Sequence, residues 1–252
     1  MTIDTRPVLP RRDPELLGQT VVVIGGSSGI GLETARRARS EGAEVILTGR
    51  DPERLVQTAR RLDALGTAAF DATDPAALAD FFDSLAAPVD HVMVTAGDPP
   101  YGSPLELSPV QARRLLTGRL VLAVDVARVA AGKVKPPGSL VFTDGTGHRR
   151  ARRGEGVIST VSVASPMLIA NLALELAPVR VNLVAPGFVD TRLAASLLGD
   201  ALDARRDELR ATLPIGRVVG PADVASLAVH LMINTAITGT TVDIDGGQQL
   251  VE

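Results

Sequence analysis

Residues 25–31 read GGSSGIG, directly after the β-branched run TVVVI and directly before the helix-like LETARRARSEG. Gly25, Gly29 and Gly31 allow a tight turn and let backbone N–H groups approach a pyrophosphate. The positive end of the following helix dipole adds to the attraction. Ser27, Ser28 and Ile30 stand in the same turn. Glycines also end strands for purely structural reasons, so the reading depends on the turn lying between a strand and a helix. A second group sits in TDGTGHRRARRGEG, where Asp144 and His148 are four residues apart. Histidine is a general acid near neutral pH, and an Asp144–His148 pair can serve a proton transfer. The same stretch carries Arg149, Arg150, Arg152 and Arg153. These are a solvated loop, contacts across a subunit boundary, or an anion site for a carboxylate, a phosphate or an acyl carrier, with Arg119 facing the same pocket.

The elements that must position these groups are legible from period and punctuation. Strand-length apolar runs lie at 20–25, 44–49, 67–70, 89–95, 139–143, 180–185 and 240–244, and helix-length segments separate them. Several runs are apolar almost throughout, as strands buried on both faces must be. The βαβα alternation predicts a parallel sheet with helices on both faces. Asp51-Pro52, Asp74-Pro75 and Ser108-Pro109 each set a capping side chain before a proline, and Gly220-Pro221 is a weaker version. Ser165-Pro166 repeats the signature, so a helix is expected to start or restart there, leaving 156–164 kinked or irregular.

Composition narrows the functions. The 252 residues, 45% hydrophobic, suit one α/β domain (18–252) behind a polar N-terminal arm (1–17). A formal net charge of −3 gives no reason to expect nucleic acid or an anionic membrane as partner. The absence of cysteine excludes disulfides, thiolate metal sites and cysteine nucleophiles. No apolar run is expected to reach the length needed to span a bilayer, no secretory h-region opens the chain, and no spacing suggests a metal. A cytoplasmic location is the expectation. His91 and His230 read as structural.

The Gly-x-x-x-Gly-x-Gly spacing resembles that of the short-chain dehydrogenase/reductase family, over residue 18 to the C-terminus. Ile24 stands where the family usually has threonine. The resemblance implies a Rossmann-type doubly wound parallel sheet of about seven strands. Arg50, just past the second strand, matches the position that favours the 2′-phosphate of NADP over NAD, with Ser28 as a helper. Asp71, beside Ala72, resembles the aspartate that contacts the adenine amine. Val94-Thr95-Ala96-Gly97 stands for the Asn-Asn-Ala-Gly stretch beside the ribose. Pro186, Gly187 and Val189 resemble the backbone that holds the nicotinamide carboxamide, with Thr191 near the phosphates. A homodimer or homotetramer is implied, through helices at about 109–131 and 157–177.

What the resemblance does not supply is the chemistry. Carbonyl-reducing members use a tyrosine as general acid and a lysine four residues later that lowers its pKa. Counted back from the Pro-Gly stretch, tyrosine falls on Ile158, lysine on Ser162, serine on Gly145 and asparagine on Arg119. No change of register restores the motif. The chain holds one tyrosine, Tyr101, and its only lysines are Lys133 and Lys135. Neither Tyr-x-x-x-Lys nor the longer spacing of the enoyl reductases can be drawn. Two functions remain. The first is an NADP(H)-binding protein that senses redox state or scaffolds a partner. The alternative is an oxidoreductase with acid–base groups other than tyrosine, acting on a small, anionic carbonyl or enoyl substrate. The substitutions lean toward the first. A cavity filled by Ile158 would support it, and an open one with Asp144 or His148 at the nicotinamide end would support the second.

Overall fold

The computed structural model describes residues 13–97, 103, 105–146 and 153–251. Tyr101, His148, Arg149, Arg150 and Arg152 lie outside the described residues. The order is β1 (Thr20–Ile24), α1 (Gly29–Ser40), β2 (Glu44–Gly49), α2 (Pro52–Leu62), β3 (Gly66–Ala69), α3 (Pro75–Ser84) and β4 (Val89–Val94). Then come α4 (Pro109–Leu116), a π-helical turn (Thr117–Val121), α5 (Leu122–Ala130), β5 (Val134–Thr143), α6 (Gly156–Glu175) and β6 (Arg180–Pro186). The remainder is α7 (Arg192–Leu198), α8 (Leu202–Thr212), α9 (Pro221–Ile233), β7 (Thr241–Ile244) and α10 (Gln248–Val251).

The described strands form one seven-stranded parallel sheet in the order β3-β2-β1-β4-β5-β6-β7. Period two sorts its side chains into two cores. Val22, Ile24, Val92, Val94, Leu140, Phe142, Val181 and Leu183 pack on the face covered by α3, α5 and α6. Val21, Val23, Met93, Val141 and Val184 point to the other face, under α1 and α9. Both faces are therefore apolar, which is why these strands read as unbroken hydrophobic runs.

The caps behave as the sequence predicts. Asp51 accepts from Arg54 N, and Asp74 from the N–H groups of Ala76 and Ala77. Ser108 and Gln111 form a reciprocal box. At Gly220-Pro221 the glycine has no side chain, so the Asp223 carboxylate takes the Gly220 N–H instead.

Three expectations are corrected. β5 begins five residues before the expected 139, because Val134 pairs with Val89 ahead of a register shift. The helix expected to restart at Ser165 does not; α6 is continuous with Pro166 inside it. The Ser165 hydroxyl points to Asp144 and to Val161 O rather than capping a new turn. Finally, α6 is long and apolar enough, by length and composition, to cross a membrane. Here Val161, Ile169, Leu172 and Ala173 are buried on the sheet.

Two buried cationic or potentially cationic side chains, Arg180 and His91, are held by hydrogen bonds to neutral groups. Arg180, at the start of β6, is 4% exposed and donates to carbonyls of Pro137, Leu231, Met232, Asn234 and Ile237. This guanidinium closes the C-terminal end of α9, where carbonyls have no helical partner. His91, in β4, is bonded through Nδ1 to Ser139 and through Nε2 to Gln19, both at 2.8 Å. Burial, and then the charge of Arg180, push its pKa down to about 4. The unfolded chain takes up that proton near pH 6.5, while the folded one refuses it until about pH 4. Stability is thus full above pH 6.5 and falls as pH drops through that window, by on the order of 3 kcal/mol. Urea midpoints of the native protein and of His91→Gln should converge between pH 7 and pH 4.5. Parallel pH profiles for the two would remove His91 as the cause.

Candidate functional site

The C-terminal edges of β1, β4, β5 and β6 open into a cavity of about 1240 Å³. One end is the glycine turn. Gly25 sits at φ +94°, and a Cβ on Gly31 would lie 2.3 Å from Gly25 O and 2.6 Å from Thr95 Oγ1. Only glycine lets helix α1 start this close to the strand. Ser28, at its N-cap, makes no side-chain cap bond, so the first-turn amides are left to a ligand. Thr95 braces the turn, its N–H bonding Ile24 O and its hydroxyl lying within reach of Ile24 O and Gly25 O. This geometry fits a phosphate group: positive helix end, close backbone and room in front.

The other predicted binding residues line the same cavity. Ser27, Ile30, Gly29, Arg50, Ala72, Ala96, Gly97, Pro186, Gly187, Val189 and Thr191 all contribute to its wall. Arg50 follows β2 there, while Asp51 is occupied as the cap of α2 and by Arg54. Asp71 also lines it, accepting from the N–H and hydroxyl of Thr73. Those two bonds hold its carboxyl below the usual range, and the charges of Arg50 and Arg114 act in the same direction. Thr191 caps α7 and lies against Gly29, so the segment after β6 meets the glycine turn. Gly187 is fixed from below by Gln248, whose Oε1 accepts from Phe188 N.

At the far end stand all four positions that the family resemblance associates with catalysis. Arg119, Gly145, Ile158 and Ser162 share the cavity wall. Ile158 and Ser162 are one turn apart on α6, and Glu155 continues their line toward its start. Ile158 is one of the residues of the cavity wall.

The group that dominates this end is a buried ion pair. Arg119 Nη1 lies 3.1 Å from Asp144 Oδ1 and 3.4 Å from Thr143 O. The Asp144 side chain is 3% exposed and that of Arg119 18%. Ser162 donates to Asp144 Oδ1 at 3.2 Å, and Ser165 to Oδ2. Three donors from two elements therefore converge on one carboxylate. Arg119 reaches it from the π-helical turn, whose extra residue alters the direction of side chains relative to α4 and α5. Its Nε is buried with no hydrogen-bond partner among the described residues. With Nη1 engaged and Nε buried, Nη2 is the nitrogen left for a ligand; it has no bond among the described residues. A further cavity of about 20 Å³ adjoins Arg119, Asp144 and Ser165, enough for one water.

Sequence reasoning named Asp144 and Arg119 separately, the first as partner of His148 and the second as an anion binder. The structure joins them to each other. The signal was present as a complementary change: a cation where the family has asparagine, and a carboxylate one residue before its serine position. Ser162 and Ser165, three apart on α6, were missed as Asp144 ligands. The expected Asp144–His148 contact and the Arg149–Arg150 anion site lie outside the described residues.

A family model described as Enoyl-(Acyl carrier protein) reductase matches residues 24–249. The chain belongs to the short-chain dehydrogenase/reductase family. It is 30% identical over 254 residues to Short-chain dehydrogenase/reductase ATR9 of Stachybotrys chlorohalonatus, covering 93% of this chain and 98% of that one. A putative ketoacyl reductase of Streptomyces coelicolor is 30% identical over 251 residues, covering 91% and 96%. A small-chain dehydrogenase solved in complex with NADPH matches with a TM-score of 0.79 and 29% identity, over 92% of this chain and 99% of that one.

The ion pair gives a direct stability test. Asp144→Ala should lower stability by about 2–3 kcal/mol, below the range for a fully buried pair because Arg119 keeps some solvent. Arg119→Met/Asp144→Leu, which removes both charges, should recover much of that loss in guanidinium unfolding. Additive losses in the double variant would mean the two side chains are not coupled.

Proposed function

We propose that this chain is an NADP(H)-dependent oxidoreductase whose reacting end is built on Arg119, Asp144 and Ser162 instead of tyrosine and lysine. The observation that carries the reading is the continuous open cavity, running from the glycine turn to that ion pair. The NADPH complex of a similar small-chain dehydrogenase supports the cofactor. Residues 18–252 would form the one dinucleotide-binding domain.

In this reading the amides of Gly29, Ile30 and Gly31 hold the pyrophosphate at the start of α1. Arg50, with Ser28, takes the 2′-phosphate, and Asp71 the adenine amine. The backbone of Pro186, Gly187 and Val189 fixes the carboxamide, with Thr191 at the phosphates. When bound, the reduced nicotinamide supplies hydride. Arg119 offers a fixed donor toward negative charge on a substrate oxygen, and Asp144 with its serines keeps that guanidinium in place. Leu107, Leu115, Leu193 and Leu197 give the substrate space an apolar wall.

A second reading is a protein that binds NADP(H) without turning it over. Ile158 and Ser162, where tyrosine and lysine would stand, favour it. Either reading is compatible with self-association. Val163, Met167 and Leu174 are exposed along the outer face of α6, with Val121 on the π-helical turn. We assign this face to a second copy of the chain. Met167→Glu should shift the protein to a smaller species in sedimentation velocity, and an unchanged species would remove α6 from the contact.

Nicotinamide fluorescence titration tests the cofactor. NADPH should bind more tightly than NADH. Arg50→Ala should weaken NADPH about 10- to 100-fold, the worth of a charge-assisted bond, and leave NADH within about twofold. Equal binding of both nucleotides would sink the role given to Arg50. Binding of neither would sink the proposal.

A further inference from the structure

We infer that Glu155 is the acid–base residue of this site, and that it takes the hydroxyl proton while an alcohol is oxidised to a carbonyl compound. Glu155 in that role rests on the oxidoreductase reading above, in which no residue yet handles the proton.

Among the described residues four carboxylates line the cavity: Asp51, Asp71, Asp144 and Glu155. Three are occupied: Asp51 caps α2 and pairs with Arg54, Asp71 accepts from Thr73, and Asp144 takes Arg119, Ser162 and Ser165. Glu155 is half-buried, makes no cap bond to α6, and has no side-chain partner among the described residues. Helical side chains lean toward the N-terminus and cover the surface over the preceding turn. A tyrosine at 158 would therefore carry its oxygen back toward the level of Glu155, three residues and about 4.5 Å of helix earlier. The carboxylate at 155 stands on the cavity wall at that level.

This placement accounts for the loss of tyrosine and lysine together. A free phenol, with a pKa of about 10, is a poor base near neutrality until an ammonium loosens its proton. Carboxylic acids ionise far below neutrality unaided. A carboxylate base leaves the lysine no work, and an ammonium beside it would make it a weaker base.

Ile158 stands between the turn that carries Glu155 and the one that carries Ser162, beside which Arg119 is held through Asp144. The alcohol oxygen lies against Ile158, between Glu155 and Arg119 Nη2. Its O–H proton passes to Glu155, and the pair left on oxygen closes the C=O bond. The C–H bond on the same carbon breaks, and the hydrogen leaves with both electrons as hydride to NADP+. Arg119 donates to the oxygen while it carries charge. The alcohol loses two hydrogens and two electrons, the nicotinamide is reduced by those two electrons, and Glu155 passes its proton to water in the cavity. The leucines at 107, 115, 193 and 197 suit an alcohol with a hydrocarbon body.

The test supplies NADP+ with cyclohexanol and with 4-phenyl-2-butanol and follows NADPH formation by absorbance. Glu155→Gln should slow oxidation about 100-fold or more and leave NADPH titration within about twofold of native. In Glu155→Ala, added formate should restore oxidation about 10-fold, and chloride at the same ionic strength should not; a side chain that only supports the helix start would show no such rescue. A readout without turnover uses 1-methylcyclohexanol, which has no hydrogen on its hydroxyl carbon. By ligand-observed NMR it should bind NADP+-loaded native protein about 10-fold more tightly than Glu155→Gln, the worth of a bond to a charged acceptor. Native-like oxidation by Glu155→Gln, equal effects of formate and chloride on Glu155→Ala, or no oxidation of either alcohol by protein that binds NADP(H) would each overturn the inference. Oxidation that survives Glu155→Gln and is lost in His148→Gln would overturn it in favour of histidine as base. Failure to bind NADPH would instead overturn the oxidoreductase reading itself.

Discussion

Strands β1 and β4 lie side by side, and the chain leaves them toward opposite faces of the sheet. Among the described residues, no connection fills the gap between their C-terminal ends. Everything assigned to the site depends on that gap, as is general for doubly wound sheets. The gap is held to a narrow spacing by Thr95, which ties β4 to Ile24 and Gly25, and by the glycine at 31, which leaves no room for a side chain. The glycine turn, Ala96, Asp71 and the Pro186-Gly187 corner stand at the C-terminal ends of β1, β4, β3 and β6 and line the one cavity.

Buried charge imposes the second constraint, and the chain meets it in two ways. Arg180 is surrounded by carbonyl oxygens at the end of α9, a set of dipoles in place of a counterion. Arg119 is matched with a carboxylate that is itself satisfied by two hydroxyls. The first arrangement joins β6 to the helix above it and leaves no donor facing outward. The second leaves one guanidinium nitrogen unspent beside a large cavity. The difference separates a clamp from a site.

Strand positions and helix starts were readable because they depend on short-range pattern. Alternation along Val21–Ile24 and the Asp-Pro pairs at 51 and 74 carry their information within a few residues. The loss of tyrosine and lysine needed only counting. The Arg119–Asp144 pair was not readable in the same way, since 25 residues separate its members and each side chain has a bland solvated alternative. Ser165-Pro166 misled because the same local signature serves two ends. At 51 and 74 the side chain caps its own helix, whereas at 165 a carboxylate across the cavity floor claims the hydroxyl. Local grammar cannot register a partner supplied by another strand.

The convergence of Arg119, Ser162 and Ser165 on Asp144 also bears on how the site can change. A lysine at 162 would bring a second cation to a carboxylate that already balances one, in a slot that is nearly closed to solvent. A tyrosine at 158 would arrive without the ammonium that makes a phenol useful near neutrality. Removing Arg119 first strands Asp144 instead. Steps at 162 or 119 therefore pass through a form with unbalanced charge in the protein interior, and the step at 158 gains a phenol with nothing to activate it. The ion pair behaves as a ratchet on the ancestry of the site: once formed, it shelters the new arrangement from piecemeal reversal.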